Sequence, residues 1–236
     1  MASSTNSIKK LAIRGAIWTV AGYGASQILR FGSNLLLTRL LFPDLFGLIS
    51  LVYVFISGLL LFSDLGISTS VVQNKRGDDP AFLNTAWTLQ VLRGSILWLL
   101  CLILAIPIAK IYNEPQLGLL MPIVGLSAVM AGFNSTAIFT LNRHLSVKQL
   151  AMFELSGQLI SVVVMLIWAA INPSIWALVA GGLAAPLFQL IWSHRMNRDK
   201  PNRLTWDKSA ISEIISFGKW IFISTALTFL ATQSDR

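Results

Sequence analysis

Tyr23, Gln27, Arg30 and Asn34 are spaced 4, 3 and 4 residues apart inside an otherwise apolar stretch, GAIWTVAGYGASQILRFGSNLLLTRLLFPDLFGLI at 15–49. On a helix this spacing puts all four on one face, while Ile28, Leu35 and Leu36 point elsewhere. The run from Ala16 to Leu41 is long enough to cross a bilayer, and a guanidinium at its centre costs roughly 3 kcal/mol on insertion scales. The face therefore belongs in a bundle interior or a water-filled cavity, where its chemistry is pairing and hydrogen bonding. Three readings of Arg30 stand side by side: contact with a substrate, pairing with a carboxylate or backbone carbonyls, and snorkelling outward.

A second polar stripe is expected in the next apolar run, where Ser50, Ser57 and Asp64 recur at intervals of seven. Counted inward at ~1.5 Å per residue, Asp64 lies about 12 Å deep and Arg93, on the following span, about 13 Å deep. Their matched depth suits an ion pair that fixes helix packing, with a substrate site as the other reading. Glu154 reads as a helix-start acid near Lys148, and His144 and His194 as solvated residues of basic loops. Cys101, in WLLCLILAI, reads as a lipid- or core-facing small hydrophobe. There is no His/Cys metal cluster, no Gly-rich phosphate loop with its lysine and no G-x-S-x-G elbow, so neither enzyme activity nor a cofactor or metal is expected.

These residues sit in a chain that is 55% hydrophobic and 12% charged, the composition of an integral membrane protein. Its net charge of +8 is spread over short segments between apolar spans, which fits positive-inside topology better than nucleic-acid binding. Spans are expected at about 16–41, 45–72, 84–107, 117–141, up to 171, and up to 192, with a seventh beginning near 214. The fold class is thus an all-α polytopic bundle. The expected organisation is a cytoplasmic N-terminus at 1–14, a transmembrane lobe of six helices at 15–192, a basic cytoplasmic connector at 193–212 and a further helix from 213 to 236. About a dozen Lys and Arg, including Lys9, Lys10 and Arg14, fall on inner segments, and only Arg39 and Lys110 on outer ones.

The last span stops at Asp235-Arg236 without a polar tail and reads as a fragment or a truncated frame. It resembles the first: Gln233 and Arg236 are three apart, as are Gln27 and Arg30, and Gly218/Trp220 echo Gly15/Trp18. A second bundle starting here is the arrangement of transporters built from two related halves.

The pattern LLTRLLFPDLFGLISLVYVFISGLLLFSDLGISTSVVQ, together with SIWALVAGGLAAPLFQLIW and ISEIISFGKWIFISTALTFLATQSDR, resembles the oligosaccharide (polysaccharide) flippase family of the MOP exporter superfamily. The subgroup of colanic- and teichuronic-acid exporters is the most similar. The resemblance implies one lobe of a two-lobed transporter in the bacterial cytoplasmic membrane, moving a polyprenyl-diphosphate-linked oligosaccharide between leaflets. It implies membrane lipids, and a polysaccharide polymerase and glycosyltransferases, as partners. Arg30, Asp64, Asp235 and Arg236 match polar positions of the family. Arg30, Arg93 and Arg236 would then meet phosphates, and Gln27, Asn34, Ser57 and Gln233 hydroxyls. A drug or toxin exporter of the same superfamily, a membrane glycosyltransferase or polymerase, a non-transporting scaffold and an inactive remnant are the alternatives.

Overall fold

Proline and glycine punctuate the first third of the chain. The computed structural model describes the backbone of residues 2–196 and 201–234 and the side chains of 15–196 and 201–221, and every regular element among them is a helix. Helix α1 (Ala2–Leu40) turns at Leu41–Phe42 into α2 (Pro43–Phe62), where Pro43 occupies a first-turn position whose missing N–H costs nothing. The second span does not continue to residue 72 as one helix. It breaks at 63–66, where Gly66 adopts φ +58°, and resumes as the short α3 (Ile67–Gln73). Asp64 therefore leaves the stripe of Ser50 and Ser57, which remain on α2.

Helix α4 (Pro80–Ile111) begins at Asp79, whose side chain accepts from Ala81 N–H at 3.1 Å, with Pro80 next. It runs through Pro107 instead of stopping there, so Lys110 lies in its last turn. The fourth span also divides, into α5 (Leu117–Phe133) and α6 (Ala137–Arg143), bent by 61°. Three helices complete the bundle: α7 (Val147–Ile171), α8 (Ile175–Met196) and α9 (Lys208–Ser234), the last starting earlier than the apolar run suggests.

Helices α2, α4, α7 and α8 are each long and apolar enough to cross a membrane, and α5 with α6 makes a fifth candidate. The chain is a multi-pass membrane protein. Helix α1 is longer than any of these but falls short in apolarity, because Gln27, Arg30 and Asn34 dilute it.

Two clusters form the core. One gathers Leu41, Val52, Ile108, Leu117, Met121, Ala169 and Ile175, so the turns after α1, α4 and α7 share one end of the bundle. The other, around Phe82, Val71 and Leu89, includes Ala210 and Ile214, which builds the first turns of α9 into this lobe. Phe82 is fully buried, worth about 1.5–3 kcal/mol relative to exposure. The basic segments meet at the opposite end: Arg143 reaches Asp78, and Arg76 reaches Asp207. Gly15 lies beside Val147 and Gly22 beside Ala151, so α1 runs parallel to α7 and its N-terminal half is at this basic end too.

The tightest crossing is α4 on α5, where Gly94 and Gly132 face each other. A Cβ on Gly94 would come within 2.6 Å of Ala128 O, and one on Gly132 within 2.9 Å of Gln90 O. Gly94→Leu should lower the thermal unfolding midpoint of the purified protein by an amount equivalent to about 1–3 kcal/mol. Gly32→Ala, with nothing within 4 Å, should leave it unchanged.

Candidate functional site

A helix that breaks inside a membrane exposes carbonyls that have lost their intrahelical donors. At the α2 break Leu60 O accepts from two side chains, the NH2 group of Arg93 on the facing α4 at 2.8 Å and Ser63 Oγ at 3.1 Å, and Arg93 Nε donates to Ser63 Oγ at 3.1 Å. The expected Asp64–Arg93 ion pair is absent. Asp64 lies within electrostatic range of the guanidinium, but its Oδ1 accepts from the Gly66 N–H at 3.0 Å and so stabilises the turn. A carbonyl needing a donor has won over matched depth.

Asp64 and Arg93 both line a cavity of about 360 Å³ enclosed by α2, α3, α4, α5, α6, α7 and α8. Gln90, Asn134, Glu154 and Gln189 line it too. Gln90 donates through Nε2 to Ala131 O at 2.7 Å, leaving its Oε1 buried without a partner, and Asn134 Oδ1 is buried without one as well. Glu154 is thus a cavity residue, and Lys148 lies over the Trp18 ring at 5.2 Å instead. Gln90 and Gln189 were not singled out from sequence. The signal for Gln90 was there, one turn before Arg93 on the same helix.

The predicted face of α1 is elsewhere. Tyr23, Gln27, Arg30 and Asn34 are all exposed, and none of them lines the cavity. Gln27 donates to Tyr23 Oη at 2.6 Å, while Arg30 and Asn34 have no side-chain partner among the described residues. The neighbouring face of α1 is fastened to α7: Ser26 Oγ donates to Gln158 Oε1 at 2.7 Å, and Gln158 Nε2 donates back to Ser26 O at 3.0 Å. Arg30 lies one turn beyond Ser26, about 6 Å further along, which sets it near the middle of α7 and its 25 residues. The side chain of Gln233, and Asp235 and Arg236 altogether, lie outside the described residues.

At the basic end, Arg143 NH1 donates to Val71 O, Val72 O and Asn74 O at 3.1, 2.9 and 2.6 Å, closing the C-terminus of α3. Asp78 holds Arg143 at 3.0 Å and His144 at 3.0 Å. Its partial burial pushes the Asp78 carboxyl up, but the hydrogen bonds from Arg143 and His144 outweigh this and hold it below the usual range. His194, in the last turn of α8, contacts Phe133 O at 2.9 Å, so neither histidine is merely solvated. Arg76 binds Asp79, Asp207 and Glu213 at 3.0, 3.0 and 3.1 Å. Ser209 first and then Arg76 hold the Asp207 carboxyl at about 2. A depressed folded value contributes stability above the ordinary carboxylate pKa that is lost only as pH falls through about 2. Cys101 is buried against Gly125, facing the core.

The family described as Polysaccharide biosynthesis protein matches residues 36–236 of the chain. No curated protein matches it. A solved crystal structure described as MATE in complex with Br-NRF is similar with a TM-score of 0.70 at 15% identity, over 95% of this chain. The chain spans 56% of that structure's length.

Replacing each cavity residue separates capping from pairing. Arg93→Met should destabilise the protein by about 1.5–3 kcal/mol, the range for a charged hydrogen bond lost to a buried carbonyl. Asp64→Asn, whose amide oxygen can still accept from Gly66 N–H, should unfold at the wild-type temperature in the same detergent. An ion pair would make both variants comparably unstable.

Proposed function

The chain belongs to the polysaccharide biosynthesis protein family, and from that premise we propose that it is the N-terminal lobe of a flippase for a polyprenyl-diphosphate-linked oligosaccharide. The observation that carries the proposal is the open α1 face: a guanidinium, two amides and a phenol on a helix fastened alongside α7, a membrane-span candidate, and uncovered by the described residues of this lobe. Leaving that face in lipid costs several kcal/mol. A water-filled cleft between two lobes removes the cost and gives the face a purpose.

Diphosphate and sugars do not cross ~30 Å of hydrocarbon unaided. Arg30 supplies a cation whose planar fork matches phosphate oxygens, and Gln27 and Asn34 supply hydrogen-bonding groups for hydroxyls. Arg93 contributes field more than contact, since two of its donors already serve Leu60 and Ser63. The similarity to the MATE structure supports a fold in which a second lobe faces this one. Rocking of the two would open the cleft to each leaflet in turn, powered by an ion or voltage gradient.

In this reading the membrane is the bacterial cytoplasmic one and the N-terminus is inside. The basic end is the cytoplasmic end by the positive-inside rule. The chain resembles the colanic- and teichuronic-acid exporter subgroup, and a polysaccharide polymerase and glycosyltransferases are the partners in this reading. Glu154 and Asp64 in the lobe cavity favour a second reading, an exporter of cationic compounds from the same superfamily.

Arg30→Ala in the complete protein should reduce glycan export to background while leaving membrane insertion and thermal stability intact. Glu154→Gln should leave export within about two-fold of wild type. Normal export in the first variant would remove Arg30 from the site, and loss in the second would move the site to the lobe cavity around Glu154.

A further inference from the structure

The connector before α9 has no regular structure from Pro201 to Asp207, and it is fastened through alternate N–H groups. The N–H groups of Arg203, Thr205 and Asp207 donate to Asn84 Oδ1, Thr88 Oγ1 and Thr85 Oγ1 at 3.0, 3.0 and 3.2 Å, all on the first turns of α4. Asn202 adds a bond from its Nδ2 to Thr136 Oγ1 at 2.7 Å, and Arg76 holds Asp207 at 3.0 Å. The chain here is a strap that cannot turn over without breaking these bonds.

The side chains that this fastening leaves open are Leu204 and Trp206, which are 70% and 60% exposed. Nothing in the strap's own anchoring uses them. Arg203 and Lys208 flank them in sequence and are exposed, whereas Asp207 is turned to Arg76, which it shares with Asp79 and Glu213. The outer surface is therefore apolar at its centre and cationic at its edges.

Its height on the bundle fits that chemistry. Asn84 to Thr88 lie about 6–12 Å along α4 from Pro80, at the basic end of the bundle, and in membrane proteins Trp rings and cations concentrate at the ends of the spans. At the same end α8 closes with a 37% exposed Trp192 and with Arg195 in its last turn.

We infer that the 201–208 strap is a lipid-docking element: Leu204 and Trp206 enter the upper acyl region, and Arg203 and Lys208 bind anionic phospholipid headgroups. Its inner edge fixes α9 to α4, and its outer edge fixes both to the membrane surface. This goes beyond the proposed transport and does not depend on the identity of the substrate.

The test uses the complete protein with Leu204→Cys or Trp206→Cys, each labelled with a thiol-reactive fluorophore; native Cys101 is 1% exposed and stays silent. The two positions serve as independent reporters should one variant fail to fold. The labelled protein is reconstituted into vesicles carrying doxyl-phosphatidylglycerol or doxyl-phosphatidylcholine at equal fraction. The expected result is quenching by lipid-borne doxyl but little by aqueous iodide, with roughly two-fold stronger quenching from phosphatidylglycerol. Arg203→Ala with Lys208→Ala should equalise the two lipids. Quenching by iodide alone would place the strap in water and overturn the inference. Quenching by neither reagent would mean that another protein surface covers it, which also overturns it. Equal quenching by the two lipids with Arg203 and Lys208 intact would overturn the headgroup recognition.

Discussion

A broken helix in a membrane must find donors for its freed carbonyls, and this lobe depends on how that demand is met at both ends of α3. Arg93 satisfies Leu60 O before the break, and Arg143 satisfies Val71, Val72 and Asn74 after it. An unpaired carbonyl in hydrocarbon costs several kcal/mol, which Arg93 and Ser63 prevent at Leu60, while Arg143 closes the other end of α3 at the basic end; together they hold a seven-residue helix that propensity alone would not support. Arg93 belongs to α4 and Arg143 to α6, so the break couples three spans. The 360 Å³ cavity lies against the break and is lined there by Leu60, Asp64 and Ile67.

The same arrangement divides the lobe into a part that is finished and a part that is not. Around α4 and α5 the packing is as close as backbone allows, and around Arg76 three carboxylates converge on one guanidinium. The α1 face bearing Arg30 has no such closure. A surface that costs energy against lipid, beside a lobe whose other polar groups are mostly paired, fits a cleft wall that water and an anionic substrate complete. Rigidity on one side and openness on the other are what a rocking element requires, since the lobe must move as one body while its exposed face changes partners.

The sequence was most informative where chain punctuation acts locally. Pro43 and Asp79-Pro80 located two helix starts, whereas the 4, 3, 4 spacing from Tyr23 to Asn34 grouped residues of α1 that are exposed along with Ile28, Phe31 and Leu35. It was least informative where a tertiary partner decides. Asp64 looked like the continuation of a heptad because Gly66 gives no periodic signal, and its left-handed φ is what ends the helix. Arg93 looked like the partner of Asp64 because depth can be counted along a sequence, whereas the claim of a distant Leu60 carbonyl cannot. Asn134 and Glu154 share the cavity through the bend between α5 and α6, which is a property of packing and carries no short-range mark.

The most direct test of a water-filled cleft along α1 is cysteine accessibility in the complete protein in native membranes. Single cysteines at 23, 27, 30 and 34, and at 28, 31 and 35, would be exposed to a membrane-impermeant thiol reagent. The account predicts labelling of the first set, reduced when lipid-linked substrate accumulates, and no labelling of the second. Labelling of both sets alike, or of neither, would contradict it and return Arg30 to a role in lipid or in packing.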